Sequence, residues 1–217
     1  MHIHVPDGIL PVWLWAAGYI TVAVFLSIAV KKVRGDERRG IHAAAMSAVM
    51  LVVMSIPLGV PYHINLTALA GIILGPWWAL ISDFVTNLVL ATFGHGGITV
   101  VGLNTMVTWF ESVTGLYVFL VLQGVLKQKK WKFTAATGVS TFTALALSTV
   151  LVIGIVAASG INPAEAIHEG GEEPQMSIAV FVALVAPMAL IGAVVEAIVT
   201  SLIVTYVRKV RPTLIPG

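Results

Sequence analysis

The chain has 217 residues, of which 58% are hydrophobic and only 10% charged. A soluble domain carries about 25% charged residues, and one core cannot hide this much apolar surface, so lipid must cover part of it. The absence of cysteine excludes disulfides and thiolate metal sites, leaving nitrogen and oxygen donors for any metal.

Met1–Leu10 contains no Lys or Arg and no small-residue cleavage pattern, so it does not read as a signal peptide, and the native N-terminus is expected to survive. Apolar runs follow at 11–30, 41–58, 64–94, 98–126, 132–159 and 177–207. Each can cross a bilayer, which needs about 20 residues. The third is too long for one ordinary span and contains Gly75-Pro76, where Pro breaks or kinks a helix. Splitting it gives seven spans, at about 11–31, 41–58, 64–75, 76–93, 98–124, 132–158 and 177–208.

The charges decide between six spans and seven. The twelve Lys and Arg residues fall in three clusters between or after apolar runs: Lys31 to Arg39, Lys127 to Lys132, and Arg208 to Arg211. Such clustering marks membrane topology rather than nucleic-acid binding. Seven spans with the N-terminus outside place all twelve on the cytoplasmic side, whereas six spans move the last two clusters outside. The expected fold is therefore an all-α integral membrane protein with seven transmembrane helices, N-terminus outside and C-terminus cytoplasmic. It forms one domain over residues 1–217.

In this topology His2, His4, His63, His95 and His168 lie on the outer side, and His42 alone lies near the inner basic loop. His2 can offer its imidazole, its own backbone nitrogen and the Met1 α-amine to one metal. These donors close two chelate rings nearly in a plane, and one further imidazole completes a square that suits nickel(II) or copper(II). Binding needs a neutral amine and a deprotonated amide, so it releases protons and weakens in acid. Taken alone, Met1-His2 reads as a frayed terminus before it reads as a ligand set.

The opening Met1-His2-Ile3, with Pro6-Asp7-Gly8-Ile9-Leu10, resembles the start of the CbiM/NikM family, the cobalt and nickel substrate-binding subunits of energy-coupling-factor transporters. His63-Ile64-Asn65 running into Leu74-Gly75-Pro76-Trp77 resembles the family's histidine loop and its turn. Gly96-Gly97-Ile98-Thr99 with Gly102 and Asn104, then Glu196 to Thr200, then Val210-Arg211-Pro212, continue the similarity in order. The resemblance implies nickel(II) or cobalt(II) as transported substrate and no organic cofactor. It implies as ligands the Met1 amine, the His2 amide and imidazole, and His63. Gly96, Gly97, Thr99 and Asn104 would pack around the metal, Asn104 as a hydrogen-bond partner. The sequence departs from the family at His4-Val5, which are inserted, and at His95, where an acidic or polar residue is usual. His4 and His95 are thus neighbours of the site with open roles. Ser55-Ile56-Pro57 also replaces an Asn-Phe-Pro-like stretch.

Asp83, Glu111 and Glu196 lie within spans, where an acid is costly and points to function. Glu196 reads as a packing partner; for Asp83 and Glu111 packing and function stay open. Ala43 with Ser47, and Ala44 with Ala48, have the small-residue spacing that lets helices approach in lipid. The resemblance makes them candidates for docking a membrane coupling subunit. No Gly-x-x-x-x-Gly-Lys-Ser/Thr loop occurs, so ATP hydrolysis is expected from partners. The family implies two ATPase subunits, the coupling subunit and a small auxiliary membrane protein, in the plasma membrane of a prokaryote. The alternative of another class, an intramembrane metal-dependent hydrolase, would need a cluster such as His-Glu-x-x-His, and none is present.

Overall fold

The computed structural model describes residues 7–56, 63–94, 96–126, 131–166 and 175–216. These fold into seven α-helices with no strand: α1 (Val12–Lys32), α2 (Glu37–Met54), α3 (Thr67–Leu74), α4 (Pro76–Thr92), α5 (Val101–Val125), α6 (Lys132–Ser159) and α7 (Ile178–Val210). One-turn 3-10 helices at Ile98–Val100, Pro163–Ala166 and Pro212–Leu214 lead into α5, follow α6 and follow α7.

Four elements are long and apolar enough to cross a membrane: α1, α5 with its preceding 3-10 turn, α6 and α7. The other three differ. α2 starts at Glu37, four residues before the expected span, because the Asp36 carboxylate accepts the Arg39 N–H at 3.3 Å and caps the helix inside the basic loop. α4 is 17 residues long and begins at Pro76, immediately after Gly75, the residue between it and α3. Pro at a first helical position sacrifices no hydrogen bond, which explains why the break falls there. α3 is only 8 residues, roughly 12 Å, against a hydrocarbon layer of about 30 Å. It is a half-helix, and the chain from 63 to 66 reaches it unwound.

Helix α5 is central, packed against α1, α3, α4 and α6, while α7 lies along α6. The contact between α3 and α5 is close: a Cβ on Gly71 would stand 1.9 Å from the Ser112 carbonyl oxygen. The outward faces are apolar, with Ile20, Val121, Val150, Ile191 and Leu202 all exposed. The interior instead holds Asn65, Thr67, Asp83, Glu111, Ser112 and Glu196. Polar groups inside and large apolar ones outside are what a lipid solvent selects.

The small-residue stripe on α2 is divided by this packing. Ala43 and Ser47 are buried against α4, with Ser47 Oγ 2.9 Å from Ser82 Oγ. They join helices within the chain and are not open to a partner, which corrects their assignment as docking residues. Ala44 and Ala48 are exposed.

Candidate metal site

His63 is half-buried at the start of the unwound segment, its Nδ1 3.4 Å from the Ile56 carbonyl oxygen. Unwound backbone inside a membrane protein needs other partners for its N–H groups. Here a carboxylate from the far end of the sequence supplies them. Glu196 on α7 accepts the Asn65 N–H at 3.1 Å and the Leu66 N–H at 3.0 Å. Leu66 has φ 58°, the one non-glycine residue in the left-handed region among those described. Such a conformation persists only when its surroundings over-determine it.

Asn65 fixes the segment a second time. Its Nδ2 donates to Glu111 Oε2 at 2.6 Å, and its Oδ1 accepts the Thr67 N–H at 3.2 Å. Thr67 Oγ1 lies 2.6 Å from Glu111 Oε2, and the Ser148 hydroxyl of α6 meets Glu111 Oε1. Asn65, Glu111 and Glu196 are wholly buried. Thus α5 and α7 hold the segment from 63 to 66, and α6 supports it through Glu111. Glu196 is a packing partner, as the sequence suggested, and what it packs is the backbone of the histidine segment.

A second polar arrangement fixes the N-terminal side. Asp7 Oδ1 accepts the Thr99 N–H at 2.7 Å and Asp7 Oδ2 the Ile98 N–H at 3.1 Å. These are first-turn donors of the helical run that begins at Ile98, which an ordinary helix leaves without intrahelical partners. A Cβ on Gly97 would stand 2.6 Å from Asp7 Oδ1, so glycine is needed for the approach. The Tyr19 hydroxyl donates to the Ile98 carbonyl at 2.6 Å and holds the same turn from α1. The Thr99 backbone N–H, aided by that of Ile98, holds the Asp7 carboxyl below the usual aspartate range against the opposing cost of burial.

Of the expected ligands, the described residues therefore contain His63. Met1, His2, His4 and His95 lie outside them, as does His168. No three His, Asp or Glu side chains gather as a metal cluster among the described residues. Gly97 and Thr99 act on the Asp7 end of the N-terminal segment; Gly96 is the left-handed residue (φ 80°) that begins this turn. Asn104 is buried in the first turn of α5. Its carbonyl accepts from the Thr108 hydroxyl, itself 3.1 Å from Asn87 Nδ2. His42 is exposed on α2 and pairs with the Arg38 carbonyl. Sequence reasoning missed Asp7 as a clamp. The signal was available: the turn at Ile98 has no Ser, Thr, Asp or Asn immediately before it to cap its free N–H groups.

This is a multi-pass helical membrane protein with a broken helix and a buried polar centre. Residues 4–214 match the family described as cobalt uptake substrate-specific transmembrane region, and the chain belongs to that family. It is 28% identical to a protein of Archaeoglobus fulgidus provisionally named a fused nickel transport protein, over 98% of this chain and 68% of that one. It is 27% identical to the cobalt transport protein CbiM of Geobacter sulfurreducens, over 98% of this chain and 61% of that one. The fold matches the crystal structure of a transition metal transporter with TM-score 0.75, at 24% identity, over 96% of this chain and 93% of the other. A truncated transition metal transporter matches with TM-score 0.76 at 22% identity, over 95% and 99%.

Proposed function

We propose that this chain captures nickel(II) or cobalt(II) at the outer face and is the substrate-binding subunit of an energy-coupling-factor importer. The observation that carries the reading is the unwound segment at His63. Its backbone N–H groups are held by Glu196, and it precedes a half-helix rather than a full span. Transporters use discontinuous helices of this kind to build substrate sites within the bilayer.

The ligands are the Met1 amine, the His2 amide nitrogen and imidazole, and the His63 imidazole. Four nitrogens in a plane suit nickel(II). Asp7 starts the N-terminal segment from a fixed point, and the Glu196–Asn65–Glu111 network fixes the other side. The His63 side is thereby ordered before metal arrives, which lowers the ordering cost of binding there. The chain spans seven times with its N-terminus outside. Its energy comes from two ATPase subunits acting through a membrane coupling subunit, with a small auxiliary membrane protein completing the complex. The exposed pair Ala44 and Ala48 is the part of the α2 stripe left for docking.

The test is nickel and cobalt titration of protein carrying a C-terminal tag, with and without one Gly added before Met1, and of His63→Ala. The added Gly turns the α-amine into an ordinary amide and is expected to abolish tight binding. His63→Ala is expected to weaken binding strongly, because one of four equatorial donors is lost. Equal binding by the extended and native proteins would sink the amine as a ligand; equal binding by His63→Ala would remove His63.

A further inference from the structure

Three acids lie wholly inside the bundle: Asp83, Glu111 and Glu196. The last two are occupied with the His63 segment. Asp83 is not, and it reaches that segment only through Ser112. Ser112 Oγ lies 2.8 Å from the Thr67 carbonyl oxygen and 2.9 Å from Asp83 Oδ2.

A serine hydroxyl has one hydrogen, and a carbonyl oxygen can only accept. If Asp83 were ionised, both neighbours of Ser112 Oγ would be pure acceptors. One of the two contacts would then be oxygen against oxygen with no hydrogen between. A proton on Asp83 Oδ2 removes the conflict. Asp83 Oδ2–H donates to Ser112 Oγ, and Ser112 Oγ–H donates to the Thr67 carbonyl.

The other carboxyl oxygen points the same way. Asp83 Oδ1 is buried and has no hydrogen-bond partner among the described residues. Leaving a neutral carbonyl oxygen unpaired costs far less than leaving a charged one. Nor is there a counter-charge beside it among the described residues. The helices packed against α4 are α1, α2, α3 and α5. α3 has no ionisable side chain, and α5 offers Glu111, of like sign, and the exposed, neutral Tyr117. α1 and α2 offer Lys31, Lys32, Glu37, Arg38, Arg39 and His42, all exposed at the basic-loop ends of those helices, and Tyr19, whose hydroxyl donates to the Ile98 carbonyl. Within α4 itself Asp83 is the only ionisable residue.

We propose that Asp83 is a buried proton-binding site, and that its proton latches the first residue of half-helix α3 to α4 and α5. Loss of the proton hands the Ser112 hydrogen to Asp83 and takes that donor from the Thr67 carbonyl. The occupant is a proton rather than the transported metal, so the inference stands apart from the chelate reading and survives its failure.

The test is infrared spectroscopy of the full chain in lipid at neutral pH, in light and heavy water. The parent is expected to show the carbonyl stretch of a protonated carboxyl group, shifted down in heavy water. Asp83→Asn is expected to lose this band. It retains an N–H donor toward Ser112 and is expected to fold. Ser112→Ala is expected to keep the band but move it to higher wavenumber, because the acceptor is gone. Should Asp83→Asn fail to fold, the shift in Ser112→Ala decides alone. A parent without the band, or a band unaffected by both substitutions, overturns the proton site. A band lost in Asp83→Asn yet unmoved in Ser112→Ala overturns the latch.

Discussion

Replacing Glu196 by Gln tests whether the His63 segment is held from α7. The parent carboxylate accepts two backbone N–H groups, from Asn65 and Leu66, in a wholly buried place. Gln keeps the shape and one acceptor but turns the other oxygen into a donor. One of the two N–H groups then meets an N–H, in a place closed to bulk solvent. Leaving a buried donor unsatisfied costs about 1–3 kcal/mol. Leu66 at φ 58° adds a strain, of order 1–3 kcal/mol, that the two bonds now offset. The segment is expected to relax toward ordinary backbone and carry His63 away from its proposed binding position. A coupling of about 1–3 kcal/mol is a loss of about 5- to 150-fold in affinity. The assay is calorimetric nickel titration of protein with a free N-terminus, beside a thermal melt. Nickel affinity within twofold of the parent would refute the clamp.

Asp7→Asn weakens the acceptor for the Ile98 and Thr99 N–H groups. At the cost of a lost helix cap, about 0.5–2 kcal/mol, nickel affinity is expected to fall about 2- to 30-fold by the same titration. The Asp7 carboxyl is held below its ordinary range, so its contribution is complete above that range and is lost only as pH falls through the lowered value. Between about pH 7 and about pH 5, both above an ordinary aspartate, the parent-to-variant affinity ratio is therefore expected to stay constant, whereas a ratio that collapses over this range would contradict the assignment. A single cysteine at position 129, in place of Lys129, is expected to resist an impermeant thiol reagent in intact cells, because the proposed seven-span arrangement puts that loop inside; ready labelling would reverse it.

How much was legible varies by element. The Gly75-Pro76 break stood in the sequence because Pro acts locally, through its own ring and missing N–H. α3 was harder. An apolar run from residue 64 looks like helix, yet the helix starts at Thr67. Leu66 at φ 58° stops the helix short of residue 64, and the support for that conformation is remote: Glu196, 131 residues from Asn65, accepts the Asn65 and Leu66 N–H groups. Hydropathy has no access to that pairing. The same holds for Glu111 and Asp83, whose roles depend on which hydroxyl stands opposite. Ala43 and Ser47 misled for a related reason, since small residues favour close helix contact without saying whether the neighbour belongs to the same chain. His63 is proposed as a ligand through its resemblance to a family motif; its hydrogen-bonded support was not legible.

The half-helix also has a consequence for biosynthesis. The segment around Asn65 leaves the ribosome long before Glu111, Ser148 and Glu196, the three side chains that meet it or its partners. At about 12 Å, α3 is too short to be held across the bilayer by its own apolar length. Until α7 is made, the unwound backbone has no acceptor from Glu196. The loop that carries His63 thus matures last although it is translated early. A nascent chain cut off before Glu196 would hold most of the apolar mass of the protein and still lack a finished histidine segment.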